Sequence, residues 1–169
     1  PEGSQIRKAR TNLFDLSGTR LVQSRVYHTM PSLEQGDDAQ GKADRNFDPT
    51  DVAFDAMGRV SSTIDPSRTV DRVVYDQLDR PVRVYRGVEG KNEFLIGELE
   101  YDDGLAGGNG LLTRSTRHVD ATGTPAREVR YFYDDQGRLE AIANPVPPHV
   151  VVQRDNLDRA IVTGIFGGS

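Results

Sequence analysis

Acidic residues are the side chains of this chain with the clearest capacity for chemistry, and four of them recur in one short phrase. The phrase reads FDAMGRVS at 54–61, YDQLDRPV at 75–82, YDDQGRLE at 133–140 and RDNLDRAI at 154–161. Paired carboxylates act as acid and base in glycoside hydrolysis. A catalytic site needs one copy, whereas a repeating structure needs many, so this recurrence favours a structural role.

A Gly-rich stretch and two acid pairs are further candidates for ligand binding. The stretch GGNG at 107–110 lacks the Lys-Ser/Thr of a P-loop and the frame of a dinucleotide fingerprint. The pairs Asp37-Asp38 and Asp102-Asp103 offer oxygen ligands to calcium, but neither has the EF-hand pattern. We therefore interpret all three as loops and predict no metal and no cofactor.

The remaining residue types give no enzyme signature. His28, His118 and His149 stand far apart without metal-ligand spacing. The chain has no Cys, which excludes disulfides, thiolate nucleophiles and zinc–thiolate sites. Neither GxSxG nor HExxH occurs. We expect a protein that is not an enzyme and has no catalytic residues.

The composition argues against two classes of partner, nucleic acids and membranes. The 169 residues carry a net charge of −5 with a pI near 5.2, whereas nucleic-acid binding calls for a basic face. No run approaches the roughly 20 apolar residues of a membrane span, so we expect no membrane insertion. Because the first residue is Pro1 and no targeting segment follows it, the chain reads as an interior piece of a longer protein. The closing GGS is compatible with a native or an added end.

Each phrase has the residues of a three-residue β-hairpin loop. In the first copy Asp55 precedes two residues of a type I turn, Gly58 takes the left-handed position, and Arg59 follows. Gly137 is equivalent to Gly58, and Asp79 replaces it in another copy, because Asp tolerates positive φ at modest cost. The predicted structural residues of the repeat are Phe54, Asp55, Gly58, Arg59, Tyr75, Asp76, Asp79, Arg80, Tyr133, Asp134, Gly137, Arg138, Asp155, Asp158 and Arg159.

The loop fixes the register of the strands that flank it. Each Asp lies opposite its Arg, and one step further out the expected pairs are Phe54–Val60, Tyr75–Pro81, Tyr133–Leu139 and Arg154–Ala160. Side chains alternate between the faces of a strand. Each hairpin is therefore expected to show an acid–base pair on one face and, in three of the four copies, an aromatic–apolar pair on the other.

The flanking sequences have the period of strands and not of helices. Val129, Tyr131 and Tyr133 are expected on one face, as are Leu139, Ala141 and Ala143 after the turn. We predict an all-β fold of ten to twelve short antiparallel strands, in hairpins of a continuous curved or spiralling sheet, and no helix. Residues 30–46 are polar and rich in Gly and Asp, which predicts a long loop or a disordered tip.

The four copies define the organisation of the chain as one repeat array. Residues 1–46 hold a degenerate copy, FDLSGTRL at 14–21, and the polar loop. Residues 47–100 and 129–169 hold hairpins. Each of these two ranges contains two copies of the phrase, 21 residues apart. Residues 101–128 form a Gly-rich interruption with strands, which opens with Tyr101-Asp102.

Tyr-Asp-x-x-Gly-Arg followed by an apolar residue, recurring at about 21 residues, resembles the YD repeat of the Rhs family. The resemblance covers most of 47–167 and, weakly, 11–28. It implies hairpins stacked side by side into the wall of a large shell, tube or fibre, as in bacterial toxin-complex subunits, Rhs effectors and teneurins. Such a shell encloses a polypeptide cargo or serves as an extracellular scaffold, which implies a secreted, cell-surface or envelope location in bacteria.

The chain departs from that family in two respects. It lacks the core region with an Asp-Pro-x-Gly cleavage motif, since Asp48-Pro49 and Asp65-Pro66 continue differently. It also carries no separate toxin domain. The function predicted from the sequence is therefore a structural scaffold or encapsulating wall, whose sheet edges pair with further YD repeats or with copies of the chain.

Two alternatives stay open. A carbohydrate-binding cell-surface module predicts Tyr75, Tyr131 and Tyr133 exposed in a row. An enzyme predicts that the repeated acids converge in one cleft.

Overall fold

The computed structural model describes residues 8–32, 39–102, 110–119, 125–155, 157 and 159–166. Within these ranges the chain forms strands and turns without any helix, which confirms the predicted all-β fold. The strands are β1 (Ala9–Phe14), β2 (Leu21–Tyr27), β3 (Phe47–Phe54), β4 (Val60–Ile64), β5 (Thr69–Tyr75), β6 (Pro81–Val88), β7 (Glu93–Tyr101), β8 (Leu112–His118), β9 (Pro125–Tyr133), β10 (Leu139–Ala143), β11 (His149–Arg154) and β12 (Ala160–Phe166).

The twelve strands form a single open antiparallel sheet in which each strand pairs with the next one along the chain. The number agrees with the ten to twelve strands predicted. The chain divides into two compact units: the first comprises Pro1–Val73 and Arg86–Glu93, and the second comprises Val74–Tyr85 and Phe94–Ser169. In the described part of the chain, no helix is long and apolar enough to cross a membrane.

The first unit contains the best-buried cluster among the described residues. Tyr27 and Phe47 are 8% and 4% exposed, with ring centroids 5.2 Å apart. Asn46 beside them is 1% exposed, and its carbonyl oxygen accepts the N–H of His28 at 3.0 Å. Its side-chain oxygen accepts the N–H of Lys42 at 2.8 Å.

This packing shows that residues 40–46 are an ordered part of the predicted loop. The segment 40–46 folds back on β2 and β3, since the hydroxyl of Tyr27 also donates to the carbonyl of Gln40 at 2.8 Å. The predicted disordered tip therefore does not include 40–46, because a buried Asn organises that end. Residues 33–38 of the same loop lie outside the described part.

The second unit shows the polar face of the sheet. Glu100 lies opposite Arg114, and Arg114 opposite Arg130. Arg114 pairs with both Glu100 and Glu128, and Glu128 pairs with Arg130 at 2.7 Å. Ion pairs from Arg114 to a glutamate on each neighbouring strand thus flank the like-charged pair Arg114–Arg130. Cross-strand pairs of opposite charge contribute roughly 0.2–1 kcal/mol each.

The apolar side chains form no closed core among the described residues. Only Tyr27, Phe47 and Val70 are buried hydrophobic residues there. Most others lie half-buried on the surface of the sheet, and several large ones at the loop tips are exposed, including Leu16, Met57, Leu78 and Leu157. The stability of this architecture therefore depends on strand pairing and on the loops that close the hairpins.

Candidate functional site: repeated aspartate–arginine hairpin loops

The loop after β3 shows how one phrase closes a hairpin. The N–H of Asp55 donates to the carbonyl of Arg59, and the N–H of Gly58 donates to the carbonyl of Asp55, both at 2.9 Å. Oδ1 of Asp55 accepts the N–H groups of Met57 and Arg59 at 2.9 Å. Oδ2 accepts Nε of Arg59 at 2.7 Å. One carboxylate thus holds both the loop backbone and the arginine beyond it.

The same contacts recur at the three other aspartates of the phrase. The distance from Nε of the arginine to Oδ2 of the aspartate is 2.7 Å in Asp76–Arg80, Asp134–Arg138 and Asp155–Arg159. In each loop the backbone N–H groups two and four residues after the aspartate donate to its Oδ1. We call these four arrangements the locked loops.

The left-handed position of the loop is occupied as the sequence predicts. Gly58 and Gly137 have φ of 84° and 76°, and Asp79 has φ of 63°. A side chain at such a position is strained, and Asp is among the few that accept it. Asp158, predicted for the same role, lies outside the described residues.

The register of the hairpins agrees with the prediction at its first step. Phe54 lies opposite Val60, Tyr133 opposite Leu139 and Arg154 opposite Ala160. Tyr75, the aromatic residue of the remaining copy, is half-buried at the end of β5.

A second bulge, however, follows in each of these hairpins and corrects the predicted alternation. Phe54 pairs with Val60, but Ala53 pairs with Ser62, so one residue is unpaired. Glu140 is the extra residue in the β9–β10 hairpin, where Leu139 and Ala141 therefore fall on opposite faces. The prediction that Leu139, Ala141 and Ala143 share a face is wrong at its first member, because a bulge changes the face of every residue beyond it.

A further hairpin, formed by β7 and β8, lies within the predicted Gly-rich interruption. Tyr101 lies opposite Leu112, and the N–H of Asp102 donates to the carbonyl of Leu111 at 2.8 Å. Gly110 has φ of 76°, as the left-handed glycine does in the locked loops. The predicted interruption therefore contains a hairpin whose base is built like those of the locked loops.

A related loop occurs between β4 and β5, at the other end of the strands. The N–H of Asp65 donates to the carbonyl of Thr69 at 3.0 Å, and Oδ1 of Asp65 accepts the N–H of Thr69 at 2.9 Å. Here Arg68 takes the left-handed position, with φ of 65°, and its guanidinium pairs with Glu89 at 3.0 Å. The signal in the sequence was the Asp-Pro pair, which is typical of a turn.

Arginines after the loops also reach the next hairpin. In the first unit, Cζ of Arg20 lies 5.6 Å from the centre of the Phe54 ring. A Cβ added to Gly58 would come within 2.3 Å of the terminal nitrogen of Arg20. The aromatic residue and the glycine of one phrase thus form a seat for the arginine of the preceding hairpin.

The second unit repeats this contact. Cζ of Arg80 lies 4.5 Å from the centre of the Tyr101 ring, and Arg80 donates to the carbonyl of Gly110 at 3.1 Å. A Cβ on Gly110 would lie 3.1 Å from the same guanidinium. We call the contact of an arginine with the aromatic ring and left-handed glycine of the next hairpin the arginine clamp. Sequence reasoning missed it because it joins residues of different phrases.

The carboxylates of the locked loops are held in their charged form. Hydrogen bonds from the backbone N–H of the following arginine lower the pKa of Asp55, Asp76 and Asp134, with smaller contributions from its guanidinium. In Asp155 the guanidinium of Arg159 is the largest cause of the lowered pKa. These acids are therefore tied to their own loops, and none has the raised pKa that a catalytic acid needs at neutral pH.

The other candidates also occupy separate places. His28 lies 3.7 Å from Asp48, His118 lies 3.2 Å from Glu98, and His149 lies opposite Phe166 at the start of β11. Asp102 lies at the base of the β7–β8 hairpin. Of the other predicted loop acids, three fall outside the described residues: Asp37, Asp38 and Asp103.

The tyrosines that distinguish the alternatives are partly covered. Tyr75, Tyr131 and Tyr133 are all half-buried. The hydroxyl of Tyr133 donates to the carbonyl of Leu112 at 2.8 Å, and burial raises its pKa. These rings do not form the exposed row that a carbohydrate-binding face predicts.

Comparison with known proteins gives structural similarity only. No protein-family model and no curated protein matches the chain. A crystal structure of TcdB2-TccC3 aligns over 88% of this chain with a TM-score of 0.45 and 17% identity. The TcdB2-TccC3-Cdc42 crystal structure covers 88% at a TM-score of 0.44 and 16% identity, and the Photorhabdus luminescens Tc holotoxin pore covers 84% at 0.41 and 16%. The chain spans 9%, 9% and 8% of those three chains.

Proposed function

We propose that this chain is a segment of a structural wall or scaffold built of YD-repeat hairpins. The observation that carries the proposal is the recurrence of one locked loop along a single antiparallel sheet, with the aspartate and arginine of each phrase paired to each other. The resemblance of the phrase to the YD repeat supports a bacterial protein that is secreted, on the cell surface or in the envelope. A polypeptide cargo enclosed by the wall is part of the proposal.

The locked loops support a structural role in preference to an enzymatic one. In each loop both carboxylate oxygens accept hydrogen bonds from the loop itself, which leaves the acid little capacity to bind a substrate. A shallow depression of about 310 Å³ lies beside Asp134 and Arg138, and these two residues are paired at 2.7 Å. A general acid or base would have to break this pairing first.

The carbohydrate-binding alternative has weaker support. Recognition of sugars by an open sheet uses exposed aromatic faces, whereas Tyr131 and Tyr133 are half-buried. A wall, in contrast, uses its rings to hold neighbouring hairpins together, as Tyr101 does beneath Arg80.

A glycan array tests the proposal against carbohydrate recognition. We expect purified chain to bind no polysaccharide class. Selective binding to one glycan class, lost in Tyr131→Ala but retained in Phe132→Ala, would move the function to carbohydrate recognition. Phe132 is the matched control because it neighbours Tyr131 in β9 and points to the other face.

A further inference from the structure

Two pairs of arginines lie directly opposite each other on β8 and β9, and the two pairs differ in their neighbours. Arg114 lies opposite Arg130, and Arg114 pairs with a glutamate on each neighbouring strand. Arg117 lies opposite Arg127 on the other face of the same two strands. Like charges directly opposite each other destabilise a sheet. The first pair is relieved of this repulsion by its glutamates, so the surroundings of the second pair decide how much remains there.

The described surroundings of the second pair offer it no carboxylate. On β7, Gly97 lies opposite Arg117 and has no side chain to contribute. Beyond the end of β10, Oδ1 of Asn144 accepts the guanidinium of Arg127 at 3.2 Å, which is a neutral partner. Among the described residues neither arginine forms an ion pair, and both are exposed. Positive charge is therefore concentrated in this row of the sheet without an anion to balance it.

A cavity walled by prolines opens beside one of these two arginines. Its volume is about 470 Å³, within the range of about 300–1,000 Å³ that is typical of small-molecule sites. The residues that line it are Arg127, Asn144, Pro145, Val146, Pro147 and Pro148. Proline has a fixed backbone φ and no N–H. The walls are therefore stiff and largely apolar, and Arg127 is the charged group among the lining residues.

The guanidinium at this cavity is held in place by the cavity wall itself. Asn144 accepts Arg127 with its Oδ1 and donates from its Nδ2 to the carbonyl of Pro148 at 2.6 Å. One amide side chain thus ties the charged group to the proline segment. An arginine has five N–H donors, and the contact with Asn144 uses one of them. The other donors can bind an anion, at a reduced entropic cost because the side chain is already positioned.

We propose that this cavity binds small carboxylates that carry an apolar group, with the carboxylate on Arg127 and the apolar group against Pro145, Pro147 and Pro148. A guanidinium matches a carboxylate through two parallel N–H···O bonds. The ligand supplies to this arginine pair the negative charge that glutamates supply to Arg114. The site lies at the β10–β11 connection, whereas the adjacent locked loops close β9–β10 and β11–β12, so it does not depend on the structural role proposed above.

Titration of the full chain with three probes, followed by proton–nitrogen correlation NMR, tests the site. Phenylacetate carries both a carboxylate and an apolar ring. Phenylacetamide keeps the ring without the charge, and glucuronate keeps the charge without an apolar group. We expect phenylacetate to bind with a Kd of about 1 mM and to shift the amide signals of Arg127 and Val146. Each of the other two probes should bind about 10-fold more weakly, because each lacks one of the two contacts.

Three variants assign the binding to this arginine. Arg127→Gln should weaken phenylacetate binding about 10-fold, since it removes the charged donor. Arg117→Glu leaves the cavity lining intact and places a carboxylate opposite Arg127, where it should compete with the ligand and cause a similar loss. Arg130→Gln is the matched control, because Arg130 lies on the other face of β9 and already pairs with Glu128 at 2.7 Å. This variant should bind phenylacetate as the wild type does, and circular dichroism should show the same fold for all three.

Any of three results would overturn the carboxylate site. The first is that phenylacetate gives no saturable shifts at the cavity. The second is that phenylacetamide or glucuronate binds as tightly as phenylacetate. The third is that Arg127→Gln binds phenylacetate like the wild type. None of these results contradicts the structural role of the hairpins, which rests on the locked loops.

Discussion

The contribution of the arginine seat to stability can be measured by substituting alanine for the left-handed glycine at two matched positions. Gly18 and Gly58 both have positive φ, 73° and 84°, so alanine costs about 1 kcal/mol at each from backbone strain. Only at Gly58 would the new Cβ also meet Arg20, at 2.3 Å. Arg20 would then have to leave the Phe54 ring, which costs about another 0.5–1 kcal/mol for an exposed cation–π contact.

We therefore expect Gly18→Ala to lower the free energy of unfolding by about 1 kcal/mol and Gly58→Ala by about 2 kcal/mol. Urea titration followed by far-UV circular dichroism gives both values, provided that the slope of the unfolding free energy against urea concentration is the same in both variants. The decisive control repeats the pair in an Arg20→Ala background, where the difference should vanish, as a double-mutant cycle requires. Equal losses at both glycines, or a difference that persists without Arg20, would refute the clamp.

The remaining predictions concern the loops and the buried asparagine. Because the pKa of Asp134 is lowered in the folded protein, its contribution to stability is present above the unfolded pKa of about 3.9 and is lost as the pH falls through the lower folded pKa. The urea midpoint should therefore fall between pH 7 and pH 2. The fall should be smaller in the Asp134→Asn variant. Asp79→Gly should change the free energy of unfolding by less than about 0.5 kcal/mol, whereas Asp79→Val should lower it by about 2 kcal/mol, because valine is strained at φ of 63°. Thermal melts of both variants test this, and a valine variant as stable as the wild type would contradict it. Asn46→Ala leaves the N–H of Lys42 without its 2.8 Å acceptor and should cost about 1–3 kcal/mol; faster amide exchange at Lys42, with no change at Gly137, would locate the loss.

The sequence predicts local features of this fold and misses those that join distant residues. The loop at Asp55 follows from a four-residue spacing and from the conformational freedom of Gly58, both visible in one phrase. The extra residue at Glu140 has no such mark, since a bulge is set by how two strands pair over their whole length. The clamp of Arg20 on Phe54 joins residues 34 positions apart, and the burial of Asn46 depends on a polar segment folding over β2 and β3.

The step-by-step pairing of the strands also determines how the protein responds to mechanical load. A sheet whose strands pair only with their sequence neighbours can be peeled from one end, because each hairpin breaks its hydrogen bonds in turn instead of all at once. One repeat of 21 residues, from Tyr133 to Arg154, would release up to about 70 Å of chain on extension. The locked loops hold the strand ends within each such step, and the arginine clamps hold one step to the next. Under tension, a sheet of this kind would lengthen in increments and keep the hairpins beyond the break intact.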